Sequence, residues 1–173
     1  MTRSSMDSLT LSRKLIRALI GLNIVVGALI VVMFVASLVA EEFVMKALGV
    51  KPVGDSSLLI PGARAIMVIG ILSVPLAHLI LARLLAIVET VGLGPFIADN
   101  AGRLRTMGWA LLGLELLHIF LGVVAAVASS PAEPIGVGWS FSATRWLAVL
   151  LLFVLARVFE QGTRMREDLE GTI

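Results

Sequence analysis

The chain has 173 residues, of which 58% are hydrophobic and 15% charged, with a mean hydropathy of +1.02 and a formal net charge of +2. A soluble domain carries about 25% charged residues, and one this small cannot hide so much apolar surface from water. A water-soluble globule and a disordered chain are therefore both excluded. There is no Cys, which removes disulfides, thiolate metal sites and cysteine nucleophiles. The 14 Lys and Arg are spread in small groups rather than a stripe, so direct nucleic-acid binding is not expected.

Residues 1–14 read as a basic N-terminal segment, with Arg3, Arg13 and Lys14. The first apolar run, 15–40, is interrupted only by Arg17 near its start and by Asn23 and Ser37. About 20 helical residues cross a ~30 Å hydrocarbon layer, so this run spans. It is too long for a signal-peptide core, and Leu38 spoils the small-residue pattern ending at Ala40, so an uncleaved helix is expected. Further runs cover 65–88, with Pro75, His78 and Arg83; 107–128, with Glu115 and His118; and 143–159, with Arg145 and Arg157 near its two ends. Both arginines are placed to snorkel to opposite interfaces. Trp109, Trp139 and Trp146 fall at or near run ends, where indoles favour the headgroup zone.

Every backbone group in lipid must be bonded internally. The expected architecture is therefore all-α, an integral membrane bundle of four helices over 15–159. Counting Lys and Arg with the N-terminus inside gives ten against four, so both termini are expected on the cytoplasmic side. The link 89–106 breaks at Gly92, Gly94 and Pro95 and restarts as a helix near Phe96. Ser140 or Ser142 is placed to cap the fourth helix. Residues 160–173 read as a solvated helical tail that loosens at Gly162.

The polar residues inside the runs are the candidate site: Asn23, His78, Arg83, Glu115 and His118. An ionisable group at membrane depth is a functional-site candidate by default. Glu115 and His118 are three residues apart, on one helix face with Gly108, Leu111, Gly122 and Ala125. Three readings stand side by side. In the first, Glu115, His118 and Asn23 are interhelical glue, each bond being worth ~0.6 kcal/mol on average; replacing Glu115 by Leu then costs little. In the second, Glu115 is the titrating group of a proton or small-solute path. In the third, His78 and His118 ligate a haem, or Glu115-Leu-Leu-His118 serves as one of the two Glu-x-x-His elements that a di-iron bundle needs. An Arg83–Glu115 pair is possible, with snorkelling of Arg83 the competing fate. Gly94, Pro95, Phe96, Asn100, Arg103 and Arg105 form a cytoplasmic motif, either helix-start punctuation or a docking surface. No Gly-rich phosphate loop, His-Glu-x-x-His or Gly-x-Ser-x-Gly element is present.

The strings VGLGPFIADNAGRLRTMGWALL and LLFVLARVFEQGTRMREDLEGTI resemble a family of small, four-spanning bacterial membrane proteins, domain of unknown function 2975. The resemblance covers roughly 65–173 and is strongest at Gly94–Pro95–Phe96, Asn100, Arg103–Leu104–Arg105, Gly108–Trp109 and the closing Glu167–Ile173 segment. It implies a small four-spanning membrane protein, and the family has no established activity; with enzyme signatures lacking, the expectation is a non-enzymatic multi-pass protein of the inner membrane, in contact with lipid and without a resident cofactor. It also implies membrane-linked regulation with a small helix-turn-helix regulator as cytoplasmic partner. A homo-oligomer is compatible with this reading.

Overall fold

The computed structural model describes residues 3–40, 42, 46, 59–90, 98–129 and 142–170. Four helices account for nearly all of them: α1 (Arg3–Val39), α2 (Leu59–Thr90), α3 (Ala98–Ala128) and α4 (Ala143–Glu170). No strand occurs among the described residues. The fold is all-α, as expected. Each expected span lies inside a longer helix, because polar residues flanking an apolar run extend its hydrogen-bond ladder without needing lipid. The restart of α3 comes at Ala98, and Gly92, Gly94, Pro95 and Phe96 lie outside the described residues. Helix α2 runs unbroken through Pro75. Helix α4 does not loosen at Gly162 but continues to Glu170.

Among the described residues, three helices are long and apolar enough to cross a membrane: Leu9–Val39 in α1, Ile60–Thr90 in α2 and Asp99–Ala128 in α3. Helix α4 is not among them. It carries Arg145, Arg157 and Glu160 and a charged C-terminal half.

Packing is serial. Helix α2 packs on α1 and on α3, and α4 packs on α3; among the described residues no other pair packs comparably. Among the described residues the arrangement is an open row in which α1 and α4 each have one main neighbour. Covered positions on α1 recur at steps of three and four, from Leu9 through Arg13, Ile16, Ile20, Asn23, Gly27, Ile30 and Phe34 to Ser37. This is the spacing of a left-handed helix pair. Between them, from Leu15 to Val39, the exposed side chains are mostly Leu, Ile and Val, the surface lipid covers.

Small residues set the helix separations. A Cβ on Gly27 would lie 2.8 Å from Val74 Cγ1, and one on Gly113 would lie 3.1 Å from Leu76. Gly62 packs against Ala128, and Gly108 lies under the Phe153 ring. With no large apolar gain from leaving lipid, close backbone approach supplies the van der Waals contact that holds such helices together.

Candidate functional site

The contacts fix the relative heights of the helices. On one side of the row, Arg17 Nη2 lies 3.1 Å from Glu89 Oε1, Arg103 reaches Ala86 O at 3.1 Å and Arg105 reaches Glu160 at 3.3 Å. On the other side, Arg64 donates to Ser37 O at 2.7 Å and Gly62 meets Ala128. Arg17 and Ser37 are twenty residues apart, about 30 Å of helix, which matches a hydrocarbon layer. At the Arg17 side lie Arg13, Lys14, Arg83, Arg103, Arg105 and Arg157, a basic layer drawn from all four helices.

Midway between the two sides, Gly27, Val74 and Glu115 share a level, because Gly27 meets Val74 while Leu76 meets Gly113. Glu115 is 5% exposed. Its Oε1 lies 3.5 Å from Arg145 Nε, and Arg145 Nη2 lies 3.1 Å from His118 Nε2. Arg145 thus spans both residues of the i, i+3 pair and binds the first turn of α4 to the middle of α3. The pairing also sets where α4 begins. Phe153 packs on Gly108, its ring edge-on to Trp109 with centroids 5.3 Å apart. Ten residues earlier, Ala143 is therefore level with about residue 118, and α3 runs on for about 15 Å to Ala128. The Ser142 carbonyl accepts from Arg145 N at 3.1 Å and Trp146 N at 3.3 Å, placing Ser142 at the N-cap position; Ser140 lies outside the described residues.

One expectation is corrected here, and one open alternative is decided. Arg145 does not snorkel to a boundary, because its level is the middle of the apolar layer and a carboxylate is in reach. Arg83 does not pair with Glu115: its side chain is exposed, it lies two turns, about 10 Å, beyond Leu76 at the Gly113 level, and the Glu115 carboxylate is taken by Arg145. Glu115 faces the interior with His118 and buried Gly122, as the helical spacing predicts. His78 is not part of this cluster. It lines a groove between α1 and α2 with Asn23, whereas His118 faces α4, so the two rings of the haem reading face different interfaces. Among the described residues, no group of three or more His, Asp or Glu is gathered. Asn23 acts as glue: its Nδ2 donates to Val74 O at 3.1 Å.

A second polar cluster closes the α2–α3 hairpin. Asn100 is 2% exposed, and its Oδ1 accepts from Arg103 Nη1 at 2.9 Å and Thr90 Oγ1 at 3.2 Å. Arg103 Nη1 also reaches Ala86 O at 3.1 Å and Thr90 Oγ1 at 3.3 Å, so the arginine caps the last turn of α2. Asp99 lies 3.9 Å away as a loose charge partner. Of the expected cytoplasmic motif, Asn100 and Arg103 serve the hairpin, Arg105 ties α3 to α4 through Glu160, and Gly94, Pro95 and Phe96 lie outside the described residues. Thr90 was not singled out from sequence; a Thr at the end of an apolar run, ten residues before Asn100, is the only trace it leaves there.

No curated protein and no solved structure is significantly similar to the chain. One family model matches, over residues 54–173, which takes in α2, α3 and α4. The strings singled out from the sequence fall within that match, and the chain belongs to the family described as protein of unknown function, DUF2975.

Proposed function

We propose that the protein is a non-enzymatic, multi-pass component of the bacterial inner membrane with a sensory or regulatory role, its termini cytoplasmic and its partner a small helix-turn-helix regulator. The observation that carries this reading is the build of α4. Its first turn holds the buried polar pair at mid-depth through Arg145, and its C-terminal turns run past the basic layer as a charged helix on which Arg164, Met165, Arg166 and Asp168 are exposed. One rigid element therefore links a polar contact inside the apolar layer to a surface that a soluble partner can reach. The basic layer supports a cytoplasmic Arg17 side, since Lys and Arg collect there. No cofactor is needed for such a role.

The test has two arms. Single-cysteine variants at Asp7 and Thr172 are labelled with a membrane-impermeant maleimide in intact cells; protection supports the orientation, and labelling from the periplasm refutes it. A candidate small helix-turn-helix regulator from the same genome is then co-purified with it. Retention that is lost on deleting residues 160–173 supports the regulatory role, and indifference to the deletion refutes it.

A second reading, a proton or small-solute path, rests on the mid-depth carboxylate of Glu115. A pH-gradient decay that is faster in vesicles holding the protein, and abolished by Glu115→Gln, would favour it.

A further inference from the structure

We propose that the groove between α1 and α2 binds a membrane-soluble quinone, a flat ring whose carbonyls accept hydrogen bonds and whose tail is apolar. The groove holds about 610 Å³, and its walls include Asn23, Gly27, Val74, Pro75, His78 and Ala82. Gly27 and Ala82 keep the walls low, and the surface is almost wholly apolar except for His78 and Asn23.

His78 has no hydrogen-bond or ion-pair partner among the described residues, although it lines an apolar groove inside the membrane layer. Neutral imidazole carries one N–H donor, and an unpaired donor in hydrocarbon is costly. Asn23 stands on the facing helix. One of its two N–H donors is spent on Val74 O, which fixes the amide plane beside the groove, and the other is left over. Two donors on opposing walls of an apolar slot call for an acceptor group on an apolar body.

Depth selects among such molecules. His78 lies five residues, about 8 Å, inward of Arg83 in the basic layer. The ester carbonyls of a phospholipid stay at that boundary, and a fatty-acid carboxylate is held there by its charge. A quinone ring is neutral and carries its two carbonyls into the hydrocarbon. Binding alone is inferred, with no electron transfer. The inference is independent of the regulatory reading, since it uses only α1, α2 and the membrane layer.

The experiment uses the full chain in lipid nanodiscs and a short-tailed benzoquinone bearing a photoreactive azide. Cross-links mapped by mass spectrometry should fall within 23–28 and 74–82, saturate, and be competed by the unlabelled quinone. His78→Leu should weaken binding about tenfold, the loss of one hydrogen bond, while His78→Gln keeps a donor and most of the affinity. Ala82→Phe fills the groove and should abolish labelling with His78 intact, so the inference stays testable if His78→Leu fails to fold. Labelling scattered along the apolar helix faces overturns the proposal. Competition by a fatty acid equal to that by the quinone overturns it as well, as does wild-type binding by folded His78→Leu or Ala82→Phe.

Discussion

Arg145, in the first turn of α4, lies 3.5 Å from the carboxylate of Glu115, which is buried halfway along α3. The pair changes the expected cost of apolar substitution at Glu115. Taken alone, Glu115→Leu removes an expensive group with its bond. With Arg145 opposite, it removes the carboxylate of a mid-depth ion pair and leaves the cation against the neutral ring of His118. We expect Glu115→Leu or Arg145→Leu to cost about 3 kcal/mol, and Glu115→Gln, which can still accept a hydrogen bond, about 1–2 kcal/mol. The double variant Glu115→Leu, Arg145→Leu should recover most of the loss, because replacing a whole buried pair by apolar groups is near neutral. Unfolding in mixed micelles, read as a double-mutant cycle, checks this; additive losses would show that the two residues do not act as a pair.

The hairpin cluster gives a second expectation. Asn100→Leu removes the buried acceptor that joins α3 to Arg103 and Thr90, leaving those two donors only the carbonyl and hydroxyl oxygens at the end of α2. A loss of about 1–3 kcal/mol should follow, larger than for Arg17→Ala, whose exposed pair with Glu89 is worth under about 1 kcal/mol. Thermal melts of the two variants side by side decide it, and equal losses would refute the ranking.

These two clusters also mark what could be read from the sequence. The spans of α1, α2 and α3 were legible because each holds an uninterrupted apolar run, and Glu115 with His118 because i, i+3 spacing puts two residues on one face. The partner of that pair was not legible. Arg145 stands two residues from the start of an apolar run, where an arginine ordinarily marks a boundary. Only the offset of α4 against α3 moves it to mid-depth, and that offset is set by Phe153 meeting Gly108. The start of α1 was missed for a related reason: Arg3–Thr10 are mostly polar, so an apolar-run criterion stops short while the backbone ladder continues, whereas the tail after Phe159 was read as helical.

Gly27 sets the distance between α1 and α2. Its missing side chain admits Val74, a β-branched residue with little freedom to turn away. Gly27→Ile should cost about 1–3 kcal/mol through overpacking, and Val74→Ala in the same chain should return part of it. Helix separation read by distance measurements between spin labels on α1 and α2 should widen in the single variant and close in the double. An unchanged distance in Gly27→Ile would count against the contact.

The level of α4 carries an optical signature. Trp146 follows Arg145 and so lies near the centre of the apolar layer, whereas exposed Trp109 lies within about 6 Å of the basic layer at Arg105. In variants retaining one tryptophan each, lipids brominated deep in the acyl chain should quench Trp146 more than Trp109. The reverse order would return α4 to a full crossing.

Among the described residues, adhesion runs chiefly between successive helices, so stability is a chain of three main links rather than a ring. Such a chain can be cut at its end link without disturbing the others. Helix α1 holds on through one seam, anchored at Gly27, Asn23 and Ser37, and lies outside the segment that defines the family. Its docking is therefore a bimolecular event made intramolecular by the connection to α2. Severed within that connection, α1 should reassociate with the remaining three helices at a strength set by the seam alone, turning the junction into a measurable binding constant.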